Sequence, residues 1–128
     1  MIQEAYVSFN VAKLLIEKGF NEPTLAYAYG QDMISYYSRP KVTDPLSIVA
    51  GRIPLPTQQM AMRWMREEHK INIEVRMLFD SWDYCVQRIP NHEGLIYQAE
   101  DIWKSYEAAR NAALYYCVDN LTEDLRWI

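Results

Sequence analysis

Few residues in this sequence could support metal binding or redox chemistry. The only histidines are His69 and His92, and neither stands in an H-x-x-x-H, H-E-x-x-H or C-x-x-C pattern. The two cysteines, Cys85 and Cys117, are 32 positions apart and have no such companions either. Because a structural zinc site needs four nitrogen or sulfur ligands, the sequence predicts no metal site and two reduced thiols in the core.

No pattern predicts a nucleophile or an acid–base pair. A nucleophilic serine or cysteine needs a base within hydrogen-bond reach, and neither cysteine has one that the sequence signals. The adjacent carboxylates Glu67 and Glu68, like Glu100 and Asp101, would point in different directions from a helix. The chain has four glycines and no glycine-rich phosphate loop. We therefore predict no catalytic residue, no metal and no cofactor, and a protein that is not an enzyme.

One segment is unusually rich in tyrosine. Four tyrosines followed by two cations lie between positions 27 and 41, and another arginine follows. The candidate binding residues are Tyr27, Tyr29, Tyr36, Tyr37, Arg39, Lys41 and Arg52. Three interpretations are open: an edge hairpin whose rings cover the sheet, a protein interface, in which Tyr and Arg are enriched, or a surface that stacks the bases of single-stranded nucleic acid.

Length and charge narrow the class of partner. A chain of 128 residues, 50% of them hydrophobic, predicts one domain over 1–128 with a substantial core. The formal net charge of −4 comes from 13 Lys and Arg against 17 Asp and Glu. It removes the attraction on which non-specific DNA binders and anionic-membrane binders rely. A protein partner or a homo-oligomer is therefore favoured, single-stranded nucleic acid is the alternative, and no membrane partner is expected.

No targeting or membrane segment is predicted. The opening residues MIQEAYVSFNVAKLL have no basic start, no continuous apolar stretch and no small-residue cleavage site. No stretch approaches the run of about 20 apolar residues that a spanning helix needs. The sequence therefore predicts a cytoplasmic protein.

Three helices are marked by their capping residues. Ser8 is a candidate N-cap for the first helix, and Gly19 is placed to end it with Phe20 folded back on Leu15. Thr57 is a candidate N-cap for the second helix. Its apolar stripe would comprise Met60, Ala61, Trp64 and Met65. Ser105 would cap the third, whose inward residues would be Ala109, Ala112, Ala113 and Tyr116.

Strands are marked by alternation and by turn residues. Residues 24–29 are aromatic and bounded by proline and glycine, and 33–37 could form an edge strand. Residues 71–79 alternate regularly, which predicts that Ile71, Ile73, Val75, Met77 and Phe79 face the core. A turn at 80–83 and a loop at 90–94 would connect this strand to two more, at 84–89 and 95–99. These three strands predict an antiparallel meander.

The elements together predict an α+β fold. About three helices would pack on one face of a mainly antiparallel sheet of three to five strands. A long proline-rich irregular segment would occupy about 30–56, because Pro40, Pro45, Pro54 and Pro56 interrupt it. A loop of that length is usually functional, disordered, or holds a short element.

Three patches of the chain have a distinctive order and spacing. They are Pro56-Thr57-Gln58 with Trp64-Met65-Arg66-Glu67 and His69-Lys70-Ile71, then Tyr6-Val7-Ser8-Phe9 with matches up to Pro23, and Ser105-Tyr106-Glu107-Ala108-Ala109. Here the chain resembles a group of small uncharacterised proteins encoded by Bacteroides-type bacteria and their phages. Their pattern is approximately P-T-Q, a spacer, then W-L-R-E-x-H-x-I, and Met65 stands where leucine is usual. The resemblance implies a phage or mobile-element setting and transfers no activity and no catalytic residue.

The sequence thus favours a small interaction protein. It would bind another protein, or a second copy, through the tyrosine- and arginine-rich segment, and a single-stranded nucleic-acid accessory protein is the alternative. Trp127 and Ile128 add an apolar terminus that would dock on the body or on a partner subunit.

Overall fold

The computed structural model of the chain describes residues 4–30, 33–89 and 95–120, so the predictions for His92, for the loop at 90–94 and for Trp127 and Ile128 lie outside the described residues. The described helices are α1 (Phe9–Glu17), α2 (Pro45–Val49), α3 (Gln58–His69) and α4 (Tyr106–Asn120). The described strands are β1 (Thr24–Ala28), β2 (Ile34–Lys41), β3 (Ile53–Leu55), β4 (Ile71–Leu78), β5 (Ser81–Arg88) and β6 (Leu95–Gln98).

The α+β class is confirmed, and the single sheet is wrong. The described strands form two antiparallel three-stranded sheets, with the orders β2-β1-β3 and β4-β5-β6. The first sheet ends at β3, which has only three residues and contains Pro54, a residue without a backbone N–H to donate to a further strand. The helix count is four in the described residues rather than about three, because α2 was not recognised.

The segment at 30–56 is not irregular throughout, and this prediction needs correction. It contains β2, α2 and β3. The edge strand predicted at 33–37 is present and extends to Lys41, since the outer position of β2 tolerates Pro40. Helix α2 begins where a carboxylate oxygen of Asp44 accepts a hydrogen bond from the Ser47 N–H at 2.8 Å, with Pro45 at the first helical position.

The predicted ends of α1 are confirmed. Ser8 is the N-cap, and its Oγ accepts a hydrogen bond from the Val11 N–H at 3.3 Å. Gly19 has a φ of +97°, the left-handed conformation that favours glycine. The Phe20 N–H donates to the Leu15 carbonyl at 2.9 Å, which completes the reversal after the helix.

Helices α3 and α4 also begin as predicted. The Oγ1 of Thr57 accepts from the Met60 N–H at 3.1 Å, and the Oγ of Ser105 accepts from the Ala108 N–H at 3.1 Å. The buried residues of α3 include Ala61, Trp64 and Met65. Those of α4 are Ala109, Ala113, Leu114, Cys117 and Val118.

The antiparallel meander of β4, β5 and β6 is confirmed, with two corrections. The turn between β4 and β5 consists of Phe79 and Asp80 alone, because Leu78 already pairs with Ser81. Met77 and Phe79, predicted to face the core, are 66% and 104% exposed. Phe79 lies in the turn with a φ of +50°, and Met77 lies near the hairpin end, where no neighbouring element buries it.

A single hydrophobic cluster joins the two sheets. It takes Ala26 and Leu55 from the first sheet, Ile73 and Val86 from the second, and residues of α1, α3 and α4. Gln58, which is 3% exposed, is one of the few polar residues inside. Its Nε2 donates to the Glu107 carbonyl at 3.0 Å, and its Oε1 accepts from Arg110 Nε at 2.7 Å. The first residue of α3 is thereby fastened to α4.

Replacing Gln58 should destabilise the fold strongly. Gln58→Ala removes both hydrogen bonds and leaves the Glu107 carbonyl and the Arg110 guanidinium without this partner, so we expect a loss of about 2 kcal/mol or more in the free energy of unfolding. Urea denaturation measures it. The matched control is Gln59→Ala, at the exposed neighbouring position, which should change the stability little. Equal losses in the two variants would contradict this role.

Candidate interaction surface on the first sheet

The outer side of the first sheet collects most of the predicted tyrosines. Strand β1 alternates, so that Thr24, Ala26 and Ala28 are buried while Tyr27 points outward. Tyr27 pairs with Ser35 on β2 and with Pro54 on β3. Side chains two positions apart in an extended segment lie on the same side of the sheet. Tyr37, two positions after Ser35, and Arg52, two positions before Pro54, therefore lie beside Tyr27.

Tyr27 lies at the centre of this group. Its ring centroid is 4.6 Å from that of Tyr37, and the Arg52 Cζ lies over the ring at 4.6 Å. Strands β2 and β3 flank β1, so Tyr37 and Arg52 come from the two neighbours of the central strand. The Tyr27 ring therefore contacts both another ring and a guanidinium group.

Two further side chains extend the cluster. The Tyr29 hydroxyl accepts a hydrogen bond from Arg52 Nε at 2.9 Å, and this bond raises the pKa of Arg52 above its ordinary value. The Lys41 Nζ lies 5.4 Å from the ring centroid of Tyr37, whose hydroxyl hydrogen-bonds Thr43 Oγ1 at 2.9 Å. Tyr27, Tyr29, Tyr37, Lys41 and Arg52 together form what we call the aromatic face.

Two of the predicted binding residues do not join the aromatic face. Tyr36 pairs with Ala26, so its side chain lies on the opposite side of the sheet, where its ring is 6.3 Å from that of Tyr6. Tyr36 is 59% exposed there. Arg39 is exposed on β2 and makes no ring contact or hydrogen bond with the aromatic face in the described part of the chain.

The contacts within the aromatic face restrict what it can bind. Stacking of a nucleic-acid base needs a free ring surface. The ring of Tyr27 is occupied by Tyr37 and Arg52, and that of Tyr37 is contacted by Tyr27 and Lys41. The cluster is therefore a preassembled surface that offers ring edges, hydroxyl groups and two cations. Its most exposed tyrosine, Tyr29, is 46% exposed. Such a surface suits a protein partner, because little side-chain entropy is lost when it binds.

The cysteines are not activated nucleophiles. Cys117 lies in the core as predicted, and burial raises the pKa of its thiol to about 12. Cys85 is buried but lies outside the core cluster, which corrects the prediction. It is on the outer side of the second sheet, where its Sγ is 3.8 Å from Glu74 Oε2. Burial and the Glu74 carboxylate raise the pKa of Cys85 as well. Both thiols are free and remain protonated at neutral pH.

Sequence reasoning missed a polar network on that outer side. The Arg76 guanidinium donates to both carboxylate oxygens of Asp83, at 3.1 and 2.9 Å, and to Gln98 Oε1 at 2.9 Å. The polar residues that alternate along β4 were the available signal, but their partners lie on β5 and β6 and depend on the strand register. The bidentate ion pair engages both carboxylate oxygens of Asp83 and links β4 to β5, so the network stabilises the sheet.

The other candidates for chemistry lie apart from the aromatic face. The His69 ring packs edge-on against Trp64, with centroids 4.7 Å apart. Arg63 and Glu67 form an ion pair at 3.0 Å on the surface of α3. Among the described residues, no group of three or more His, Cys, Asp or Glu is placed to hold a metal ion.

The raised pKa of Cys117 predicts a loss of stability in alkali. The thiol ionises near pH 8.5 in the unfolded chain and only near 12 in the folded one, so its contribution is complete below pH 8.5 and is lost as the pH rises above it. Relative to Cys117→Ala, the native chain should lose up to about 1.4 kcal/mol per pH unit between about pH 9 and 11. Urea denaturation at several pH values measures this difference, and parallel curves would contradict it.

In the described part of the chain, no helix is long and apolar enough to cross a membrane. Comparison of the chain with protein-family models, with curated proteins and with solved structures found no match.

Proposed function

We propose that this chain is a small non-enzymatic interaction protein that binds another protein through the aromatic face. It would act in the cytoplasm of a bacterium that carries the phage or mobile element encoding it. The observation that supports the proposal is the preassembled cluster of Tyr27, Tyr29, Tyr37, Lys41 and Arg52 on the outer side of the first sheet. Tyrosine and arginine are the residues that dominate the binding energy of protein interfaces.

The charges of the aromatic face favour an acidic partner. Lys41 and Arg52 place two cations there, although the chain as a whole carries a net charge of −4. A symmetric dimer formed through this surface would bring the cations of one copy close to those of the other, which costs free energy. A different protein with carboxylates around an apolar centre fits the surface better than a second copy does.

The open edge of β2 adds a second mode of contact. β2 is an outer strand of the first sheet, so among the described residues one side of its backbone has no neighbouring strand and could accept an added one. The side chains of Ile34 and Tyr36, 45% and 59% exposed, lie along the same strand. Pro40 limits such pairing to the first part of β2, because it has no N–H to donate.

Single-stranded nucleic acid is the second candidate. The cations of an otherwise acidic chain favour it, since Lys41, Arg52 and the exposed Arg39 could contact phosphates. The ring contacts of Tyr27 and Tyr37 argue against it, because a base that stacked on these two rings would compete with Arg52 and Lys41.

The experiment is affinity capture of the tagged full chain from a lysate of its own host, with and without nuclease, read by mass spectrometry. We expect a stoichiometric protein partner that survives nuclease. Tyr29→Ala and Arg52→Ala should each reduce its recovery at least about tenfold, because each removes an interface side chain of the type that contributes most to binding. Both variants should keep nearly the native melting temperature, since exposed cation–π contacts contribute only about 0.5–1 kcal/mol.

The control is Phe79→Ala, which removes a more exposed ring at the β4–β5 hairpin end and should leave recovery unchanged. A partner retained by Tyr29→Ala and Arg52→Ala would refute the proposed surface. A partner lost with nuclease, with affinity that falls steeply as salt rises, would replace the proposal by nucleic-acid binding.

A further inference from the structure

A second candidate site lies away from the aromatic face, in a cavity of about 580 Å³ at the start of α1. One wall is α4, which contributes Asn111, Tyr115, Tyr116 and Asn120, and the floor includes Tyr84 and Trp103. The volume falls in the range of sites for small molecules. None of the nine described residues that line it is charged. The described lining therefore suits a neutral ligand and has no cation to neutralise a phosphate or a carboxylate.

The hydroxyl of Tyr84 is a hydrogen-bonding group that the described residues leave unused. Tyr84 is 4% exposed, and its hydroxyl makes no hydrogen bond in the described part of the chain. Yet no fully buried side-chain nitrogen or oxygen there lacks a partner. The small exposed part of Tyr84 therefore includes its hydroxyl, and Tyr84 is one of the residues that line the cavity. An almost buried donor on a residue that lines an open cavity is available to a ligand.

Other polar groups surround the cavity from different directions. The Ser8 Oγ accepts hydrogen bonds from the Val11 N–H and from Asn111 Nδ2, so its own hydrogen remains to be donated. The Asn10 amide makes no hydrogen bond with the described residues. Asn120 donates through Nδ2 to the Tyr116 carbonyl at 3.0 Å, which leaves its Oδ1 as an acceptor.

Aromatic rings supply the walls, and they are held rigidly. The Trp103 N–H and carbonyl each hydrogen-bond Trp82 at 2.8 Å, and its ring lies 5.2 Å from that of Tyr84. Tyr116 is stacked on Tyr97 at 4.0 Å. The negative face of such rings attracts partly positive C–H groups.

We propose that this cavity binds a neutral carbohydrate. A sugar ring presents C–H groups on its faces and hydroxyls around its whole edge. It could therefore pack on the rings while it hydrogen-bonds groups on α1, α4 and β5 at once. A nucleobase presents its donors and acceptors in one plane and suits partners that converge from one side. The inference is independent of the proposed protein interface, because the two sites share no residue.

The test is titration of the ¹⁵N-labelled full chain with cellobiose, maltose, lactose and N,N′-diacetylchitobiose, followed by NMR. The indole N–H signal of Trp103, assigned from Trp103→Phe, reports on the cavity. We expect at least one disaccharide to shift it with a Kd of about 1 mM or tighter. Tyr84→Phe should raise that Kd about fivefold without lowering the melting temperature, since the hydroxyl it removes has no partner in the described structure.

Tyr36→Phe is the matched control, because it removes one hydroxyl on the first sheet and should leave the Kd unchanged. Asn10→Ala is the second variant and should also weaken binding. Glucose 6-phosphate should not compete, since the lining has no cation. The proposal is overturned if no disaccharide shifts the Trp103 signal, if Tyr84→Phe and Asn10→Ala both bind as the native chain does, or if only adenosine binds.

Discussion

The buried amide of Gln58 fixes how the two sheets are placed. Helix α3 starts directly after β3 of the first sheet and leads into β4 of the second, so fastening its first residue to α4 positions both sheets. The Gln58 N–H also donates to the Ala5 carbonyl at 2.8 Å, and the Val7 N–H donates to the Pro56 carbonyl at 3.1 Å. Residues of three stretches distant in sequence, at 5–7, 56–58 and 107–110, thus meet at one junction.

Both candidate sites follow from this junction. The inner side of the first sheet is covered by the core, so the alternation of β1 turns Tyr27 and Tyr29 outward, where Arg52 joins them. At the start of α1, the hydrogen bonds between Ser8 and Asn111 hold this helix against α4. Both residues also line the cavity, together with Tyr84. The same contacts that close the core therefore leave one aromatic surface and one neutral cavity facing solvent.

Local signals predicted the fold most reliably where they required no distant partner. Ser8, Thr57 and Ser105 cap their helices because a hydroxyl reaches an N–H three residues away. The alternation of β4 identified a strand, but it could not show that Met77, near the end of the hairpin, is exposed. Strand β3 was missed because three residues with a central proline give no periodic pattern. The tyrosine-rich segment was visible in the sequence, whereas the separation of Tyr36 from Tyr37 depended on the pairing with β1.

The sequence by itself determined the α+β class, the first residues of three helices, the antiparallel meander and the residues available for a binding surface, because these depend on side-chain chemistry and on spacing along the chain. Only the tertiary structure decided that there are two sheets, that Tyr27 contacts both Tyr37 and Arg52, and that Cys85 faces Glu74 rather than the core. It also decided that Tyr84 lines a cavity. Each of these features joins residues distant in sequence, and strand register and helix packing set such contacts through the free energy of the whole core.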